Sequence, residues 1–193
     1  MSGRTEVQVR PGTEADLGAL TDLYNHYVRE TAVTFDTAEF TRADRRPWLL
    51  SHPEDGPYRL KVAIGPDCES DTAARSASLR GGGRETGGRI LGYATSSPHR
   101  PKAAYATSVE TSVYLAPDAT GRGVGTLLYT ALFAALAKED VHRAYAGIAL
   151  PNEASTRLHT RFGFRHLGTF GEVGRKFGRY WDVAWYEKEL PDR

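Results

Sequence analysis

The sequence predicts an α/β protein, a central mixed and mostly antiparallel sheet flanked by helices on both faces. Three observations predict it. Residues 109–115 alternate, with Val109, Thr111, Val113 and Leu115 on one face and Glu110, Ser112 and Tyr114 on the other, the period of a strand. Pro117 and Asp118 end that strand. After the turn Thr120-Gly121-Arg122-Gly123-Val124-Gly125, apolar residues recur at 127, 128, 131, 132, 135 and 136, the spacing of a buried helix. Along the whole chain the elements read βααββ and then βαβαββ, with antiparallel strands in the first half.

Residues 6–10 form a short first strand with Val7 and Val9 on one face. Thr13-Glu14-Ala15-Asp16 matches a capping box, in which a hydroxyl bonds a free helix amide and a carboxylate reaches back. The helix that follows is expected to bury Leu17, Leu20, Leu23, Tyr24, Tyr27 and Val28. Its far end, Tyr24-Asn25-His26-Tyr27, reads first as packing with a solvated His26 and second as one wall of a substrate cleft. Residues 31–35 are a β-branched loop that turns Phe35 toward a pocket. In 42–51, Pro47 is expected to interrupt a helix or to open a shorter one, because proline lacks the N–H that continues it; Trp48 and Leu49 anchor the segment.

Strands at 58–64 and 89–97 are expected to pair antiparallel. Between them residues 65–88, with Gly81-Gly82-Gly83 and Gly87-Gly88 and few apolar side chains, read as a flexible insertion in a single domain spanning 1–193. No strand leads into the triple glycine and no helix leaves it, so it lacks the setting of a phosphate cradle. Residues 98–105 form a cationic loop carrying Arg100 and Lys102. Residues 143–150 are a short strand broken by Pro151, 152–162 a helix ended by Gly163, and 164–173 with 180–188 a closing hairpin around 174–178.

Composition removes several classes of function. With 193 residues and 40% hydrophobic content, the chain has enough apolar material for one sizeable core. Its formal charge of +1 gives no excess of basic residues for a nucleic-acid backbone and no polybasic run for an anionic membrane. No apolar run approaches the roughly 20 residues that span a bilayer, and the first ten residues lack the apolar core of a signal peptide, so a cytoplasmic protein is expected. The single cysteine, Cys68, has no internal partner and reads as an incidental thiol.

The glycine turn decides between phosphate-binding grammars. A helix that starts inside it leaves backbone amides unpaired, and these make an anion site. A P-loop needs Gly-Lys before Ser or Thr, and the chain contains no Gly-Lys pair. A dinucleotide fingerprint needs a third glycine where Thr126 stands, and its early βαβ unit is missing. The remaining grammar, Gln/Arg-x-x-Gly-x-Gly/Ala between a fourth strand and a helix, fits Gly123-Val124-Gly125.

With that loop, the ordered set Asn25-His26-Tyr27, Thr34-Phe35, Glu110-Thr111-Ser112-Val113-Tyr114-Leu115, Asn152-Glu153-Ala154-Ser155, Leu158-His159-Thr160-Arg161-Phe162-Gly163-Phe164 and Tyr180-Trp181-Asp182-Val183 resembles the GNAT superfamily of N-acetyltransferases. Within it the set is similar to the branch acting on phosphinothricin, methionine sulfoximine and methionine sulfone. The resemblance runs from about Val7 to Leu190. Two positions depart from it: Thr120 stands where the loop begins with Gln or Arg, and Lys102 stands where the herbicide-resistance enzymes carry Arg.

The resemblance implies the GNAT fold and acetyl-CoA as co-substrate, with no metal. The amides of Gly121, Arg122, Gly123, Val124, Gly125 and Thr126 would hold its pyrophosphate, with Arg122 adding charge. The main chain of Val113, Tyr114 and Leu115 would pair with the pantetheine arm, one amide polarising the acetyl carbonyl, and Asn152 and Ser155 would hold the thiol end. Glu110 is the candidate base for an amine that is largely protonated at neutral pH, its alternative being a structural ion pair. His159 stands where the wider superfamily often carries a proton-donating tyrosine; acid/base chemistry, thiol positioning and a purely structural role are all open to it. Phe35, Lys102 and Tyr105 are candidate acceptor contacts.

The expected activity is N-acetylation of a small amino-acid-like acceptor with a polar tetrahedral group, a class that suits the basic loop around Arg100 and Lys102. Another small amine as acceptor, or a non-catalytic acyl-CoA-binding regulator, are the alternatives. Family resemblance also implies a homodimer, with Trp181, Trp185 and Tyr186 either at its interface or in the core.

Overall fold

A computed structural model describes residues 7–65 and 88–191, so the expected flexible insertion, its triple glycine and Cys68 lie outside the described residues. Among the described residues seven strands form one sheet: β1 (Gln8–Pro11), β2 (Leu60–Gly65), β3 (Arg89–Pro98), β4 (Ser108–Leu115), β5 (Arg143–Ala149), β6 (Arg165–Lys176) and β7 (Arg179–Glu189). Their spatial order is β1-β2-β3-β4-β5-β7-β6. Every neighbouring pair is antiparallel except β4 and β5. Four α-helices accompany them: α1 (Leu17–Glu30), α2 (Arg42–Leu50), α3 (Val124–Leu136) and α4 (Glu153–Arg161). The single parallel pair matches its connectivity, since β4 and β5 are joined through a crossover helix, α3.

Strand alternation divides the core into two layers. On one face Ala63, Leu91, Ala94, Val109, Ala144, Ala146 and Ile148 pack against Leu128, Leu132 and Leu136 of α3. On the other, Val62 and Tyr93, cross-strand partners, pack with Leu60 against Leu20, Tyr24 and Val28 of α1 and Leu49 of α2. The expected helices on both faces are therefore present.

The entry to α1 works as the sequence suggests. Asp16 accepts from the Thr13 N–H at 2.8 Å and from its hydroxyl at 3.0 Å, and Arg10 donates to both carboxylate oxygens at 2.7 Å. Burial opposes the charge on Asp16, but these donors outweigh it and hold the carboxyl below its usual range.

Three expectations need correction. Pro47 neither stops nor opens a helix; α2 runs through it. Thr41 and Asp44 close a capping box at its start, and Arg45 lies over the Trp48 ring at 3.7 Å and the Tyr24 ring at 4.2 Å. Capping and packing offset the one bond that proline forfeits. In α3 the buried stripe is rotated from the expected one, for Leu127 is exposed while Tyr129 is fully buried. The last hairpin is tighter than 174–178, with Phe177 and Gly178 as its two-residue loop, both at positive φ (53° and 75°), matching the twist of the flanking strands. In that hairpin Tyr186 belongs to the core, whereas Trp181 and Trp185 are half-buried.

Candidate active site

The site begins where the parallel pair fails. β4 and β5 pair only at Ser108↔Arg143, Val109↔Ala144 and Glu110↔Tyr145. Beyond Glu110, β4 stays with β3 to Leu115↔Gly92, and β5 stays with β7 to Ala149↔Val183. Each strand follows its outer neighbour, and the sheet opens between them. A cavity of about 40 Å³ in this gap is lined by Thr111 to Tyr114, Gly147 to Ala149 and His159. It shares Val33, Val113, Asn152 and Ser155 with a groove of about 650 Å³.

Main-chain direction along β4 can be read from its end. The Ala116 N–H bonds the Leu91 carbonyl at 2.8 Å, toward β3. The Tyr27 hydroxyl instead donates to the Leu115 carbonyl at 2.7 Å and accepts from the Leu115 N–H at 3.4 Å. Strand alternation then turns the Tyr114 groups toward β3 and the Val113 N–H and carbonyl into the gap, where no described strand pairs with them. Of Val113, Tyr114 and Leu115, only Val113 thus offers main-chain groups to the gap without an existing partner. Tyr27 also lines the groove.

The floor of the groove is the start of α3. Gly123 is its N-cap at φ +83°, and Gly121 lies at φ +72°. Both are in the left-handed region that glycine tolerates and most side chains do not. This path brings Gly121, Gly123, Val124, Gly125 and Thr126 into the groove wall, with the first-turn amides of α3 left for an external acceptor. Thr120 also lines the groove, but its hydroxyl donates to the Pro117 carbonyl at 2.8 Å.

Arg122, the expected cation, is exposed, is not among the lining residues, and acts electrostatically on Asp118. Arg157 and Arg161 of α4 line the opposite wall instead, Arg161 reaching Thr126 at 3.5 Å. Sequence reasoning missed both. Their i,i+4 spacing on one helix face was the available signal.

His159 is buried at 3% exposure and both ring nitrogens are engaged. Nε2 meets the Tyr129 hydroxyl at 2.8 Å, and Nδ1 meets the Ser155 carbonyl at 2.8 Å and the Ser155 hydroxyl at 3.3 Å. Burial lowers its pKa, only partly opposed by the bond to Ser155, so the imidazole is neutral at pH 7. A carbonyl can only accept, which places the proton on Nδ1 and makes Nε2 the acceptor for Tyr129. Asn152 caps α4 by accepting from the Ser155 N–H at 3.1 Å.

Glu110 stands at the last rung of the β4–β5 ladder, on the face opposite Thr111 and Val113, and is half-buried. Burial raises its pKa, opposed by the charge of Arg100. Its carboxylate lies 3.9 Å from Nδ1 of His99, a residue the sequence reading did not single out. Tyr105 approaches that same histidine with ring centroids 6.3 Å apart. Lys102, just before the short 3-10 turn Ala103–Tyr105, and Tyr105, within it, are exposed. Phe35 is not among the residues lining either cavity; its ring lies against Gly174, where an added Cβ would come within 2.4 Å of it. Val33 is the residue of that loop that reaches both cavities.

A sheet split after its fourth strand, a helix start facing the split and a half-buried carboxylate at its apex make up the candidate site, and similarity to known proteins gives its class: an acyl-group transferase. Residues 20–164 match the acetyltransferase (GNAT) family, and the chain belongs to it as an N-acetyltransferase. It is 68% identical to a phosphinothricin N-acetyltransferase of Streptomyces coelicolor over 98% of this chain and 100% of that one. It is 31% identical to an L-methionine sulfoximine/L-methionine sulfone acetyltransferase of Pseudomonas paraeruginosa over 94% of each. Among solved structures it is similar to a GNAT superfamily phosphinothricin acetyltransferase from Sinorhizobium meliloti in complex with acetyl-CoA, with TM-score 0.79 and 26% identity over 95% of this chain and 88% of that one.

Proposed function

We propose that this protein transfers an acetyl group from acetyl-CoA to the amino group of a small amino-acid-like acceptor of the phosphinothricin, methionine sulfoximine or methionine sulfone type. The observation that carries it is Glu110, half-buried at the apex of the split, one strand length from the groove of amides and arginines. The similarity to the Streptomyces coelicolor and Pseudomonas paraeruginosa enzymes supports the acceptor class.

When bound, acetyl-CoA supplies a thioester acetyl group activated toward an amine. The free amides at the start of α3, with Arg157 and Arg161 opposite, suit its pyrophosphate in charge and direction. The Val113 N–H, turned into the gap, donates to the thioester carbonyl oxygen as negative charge develops there. Glu110 removes the proton from the acceptor ammonium, whose pKa of about 8 leaves it mostly charged at neutral pH. The free amine would then attack the acetyl carbon, a C–N bond forming as the C–S bond breaks, and coenzyme A would leave as a thiolate that takes the second proton the nitrogen gives up. Its burial brings its own pKa upward, toward the amine's, which makes the transfer less uphill. His159, neutral and fixed between Tyr129 and Ser155, holds the Ser155 hydroxyl beside the gap, where the thiol end of the cofactor would lie. Lys102 and Arg100 attract the anionic groups of the acceptor.

Incubating the protein with acetyl-CoA and each of the three acceptors while following free thiol tests this reading. Turnover is expected with at least one; release at only the background rate of thioester hydrolysis with all three removes the acceptor assignment.

The same reading includes a cytoplasmic homodimer. No helix among the described residues is long and apolar enough to cross a membrane. Phe170, Val173, Phe177 and Tyr180 of the β6–β7 hairpin are each more than half exposed beside the edge strand β6, an apolar surface suited to a second copy. Sedimentation should give twice the chain mass at micromolar concentration, and a monomer mass there sinks the dimer.

A further inference from the structure

His99, directly after β3, is fixed more tightly than a surface loop requires. Its ring stacks on Tyr145 of β5 with centroids 4.3 Å apart and planes 23° apart. The edges of Tyr105 and of Trp185 on β7 stand against it, each with centroids 6.3 Å away. Inside this clamp Nδ1 is closed off from solvent and has no hydrogen-bond partner. A buried polar nitrogen in that state costs stability. The group it faces is the Glu110 carboxylate, Oε2 at 3.9 Å, about 1 Å beyond hydrogen-bond length. One side-chain adjustment of Glu110 closes the pair.

We propose that His99 is a positioning residue for Glu110, its Nδ1–H aiming the carboxylate at the acceptor amine and stabilising the carboxylate's charged form. The inference rests on Glu110 being the base of the proposed reaction. The titratable groups that face the imidazole are Arg100 beside it in the chain, Glu110 from β4, Tyr145 from β5 and Tyr105 from the 3-10 turn. Trp185 from β7 is uncharged. Burial first and Arg100 second lower the His99 pKa, so the ring is neutral at pH 7. Facing a carboxylate, a neutral ring favours the tautomer that points a proton at it over the one that points a lone pair. A donor held this way counteracts the rise in Glu110 pKa that burial causes, and it removes the entropy of a carboxylate searching several rotamers.

Two substitutions separate this role from packing. His99→Phe keeps a ring against Tyr145 and deletes Nδ1; His99→Asn returns an N–H near the Nδ1 position without the ring. The acid limb of kcat/KM against pH and the 13C titration of the Glu110 carboxyl, assigned by its loss in Glu110→Gln, are measured for each. In His99→Phe both midpoints should rise by about one pH unit, and kcat/KM at neutral pH should fall about tenfold because the lost aim outweighs the stronger base, with KM for acetyl-CoA unchanged. His99→Asn should restore most of both. An unchanged Glu110 midpoint in His99→Phe, or an Asn variant no better than the Phe variant, overturns the proposal. Should the wild-type protein acetylate none of the acceptors, the functional reading fails on its own, and the carboxyl titration, which needs no acceptor, still decides this one.

Discussion

Replacing Glu110 with glutamine should lower kcat by about two to four orders of magnitude at neutral pH, the usual worth of a positioned general base. Glutamine preserves volume and one carbonyl oxygen, so the fold and the cofactor groove are unaffected, and KM for acetyl-CoA should stay within about twofold. The pH profile gives a second signature. Burial raises the Glu110 pKa, so wild-type kcat/KM should fall as pH drops through that raised value, and the limb should vanish in Glu110→Gln. Stability should move the other way. A carboxyl whose folded pKa lies above its unfolded one binds more protons when folded, so wild-type stability declines as pH rises through that window. The glutamine variant escapes the decline and should melt no lower than wild type at pH 8. Full kcat in Glu110→Gln across the pH range removes the base assignment.

The parts of the fold legible in the sequence were those written in local periodicity. Alternation in 109–115 found β4 and its two faces, and the order of elements found the sheet and its helices. What escaped depended on contacts between elements. Leu127 and Leu128 are equivalent as residue types, and only the docking of α4, through His159 and Phe162 on Tyr129, rotates the buried stripe of α3 so that Leu127 faces out. Pro47 carries a strong local signal against a helix interior, and the cation–π clamp on Arg45 that outweighs it brings together Tyr24 of α1 and Trp48 of α2. The candidate site divides the same way. Glu110, Gly121 to Thr126, Asn152 and Ser155 were visible as an ordered motif. Arg157, Arg161 and His99 gain meaning only when α4 is laid across the groove and the loop after β3 is folded onto Tyr145.

Substituting Gly123 with valine should raise KM for acetyl-CoA by about two orders of magnitude while leaving kcat at saturation within a few-fold. The reason lies in the backbone rather than in crowding, because a Cβ built at Gly123 meets no atom within 4 Å. At φ +83° a β-branched residue costs about 1–2 kcal/mol or more, and the loop relieves that cost by returning to negative φ. Such a rotation turns the peptide between Gly123 and Val124 and tilts the first amides of α3 away from the groove. Two hydrogen bonds to a charged group, worth about 1.5–3 kcal/mol each, are then weakened together, which corresponds to at least a hundredfold in affinity. The helix itself persists, since Leu128, Leu132 and Leu136 keep it docked. Thermal unfolding should therefore shift by only a few degrees, and Glu110 is left in place for the chemistry. Calorimetric titration with acetyl-CoA, run beside steady-state kinetics, reads both quantities. Unchanged affinity in a folded Gly123→Val protein would mean that the amides of α3 do not carry the cofactor's phosphates, and the load would pass to Arg157 and Arg161.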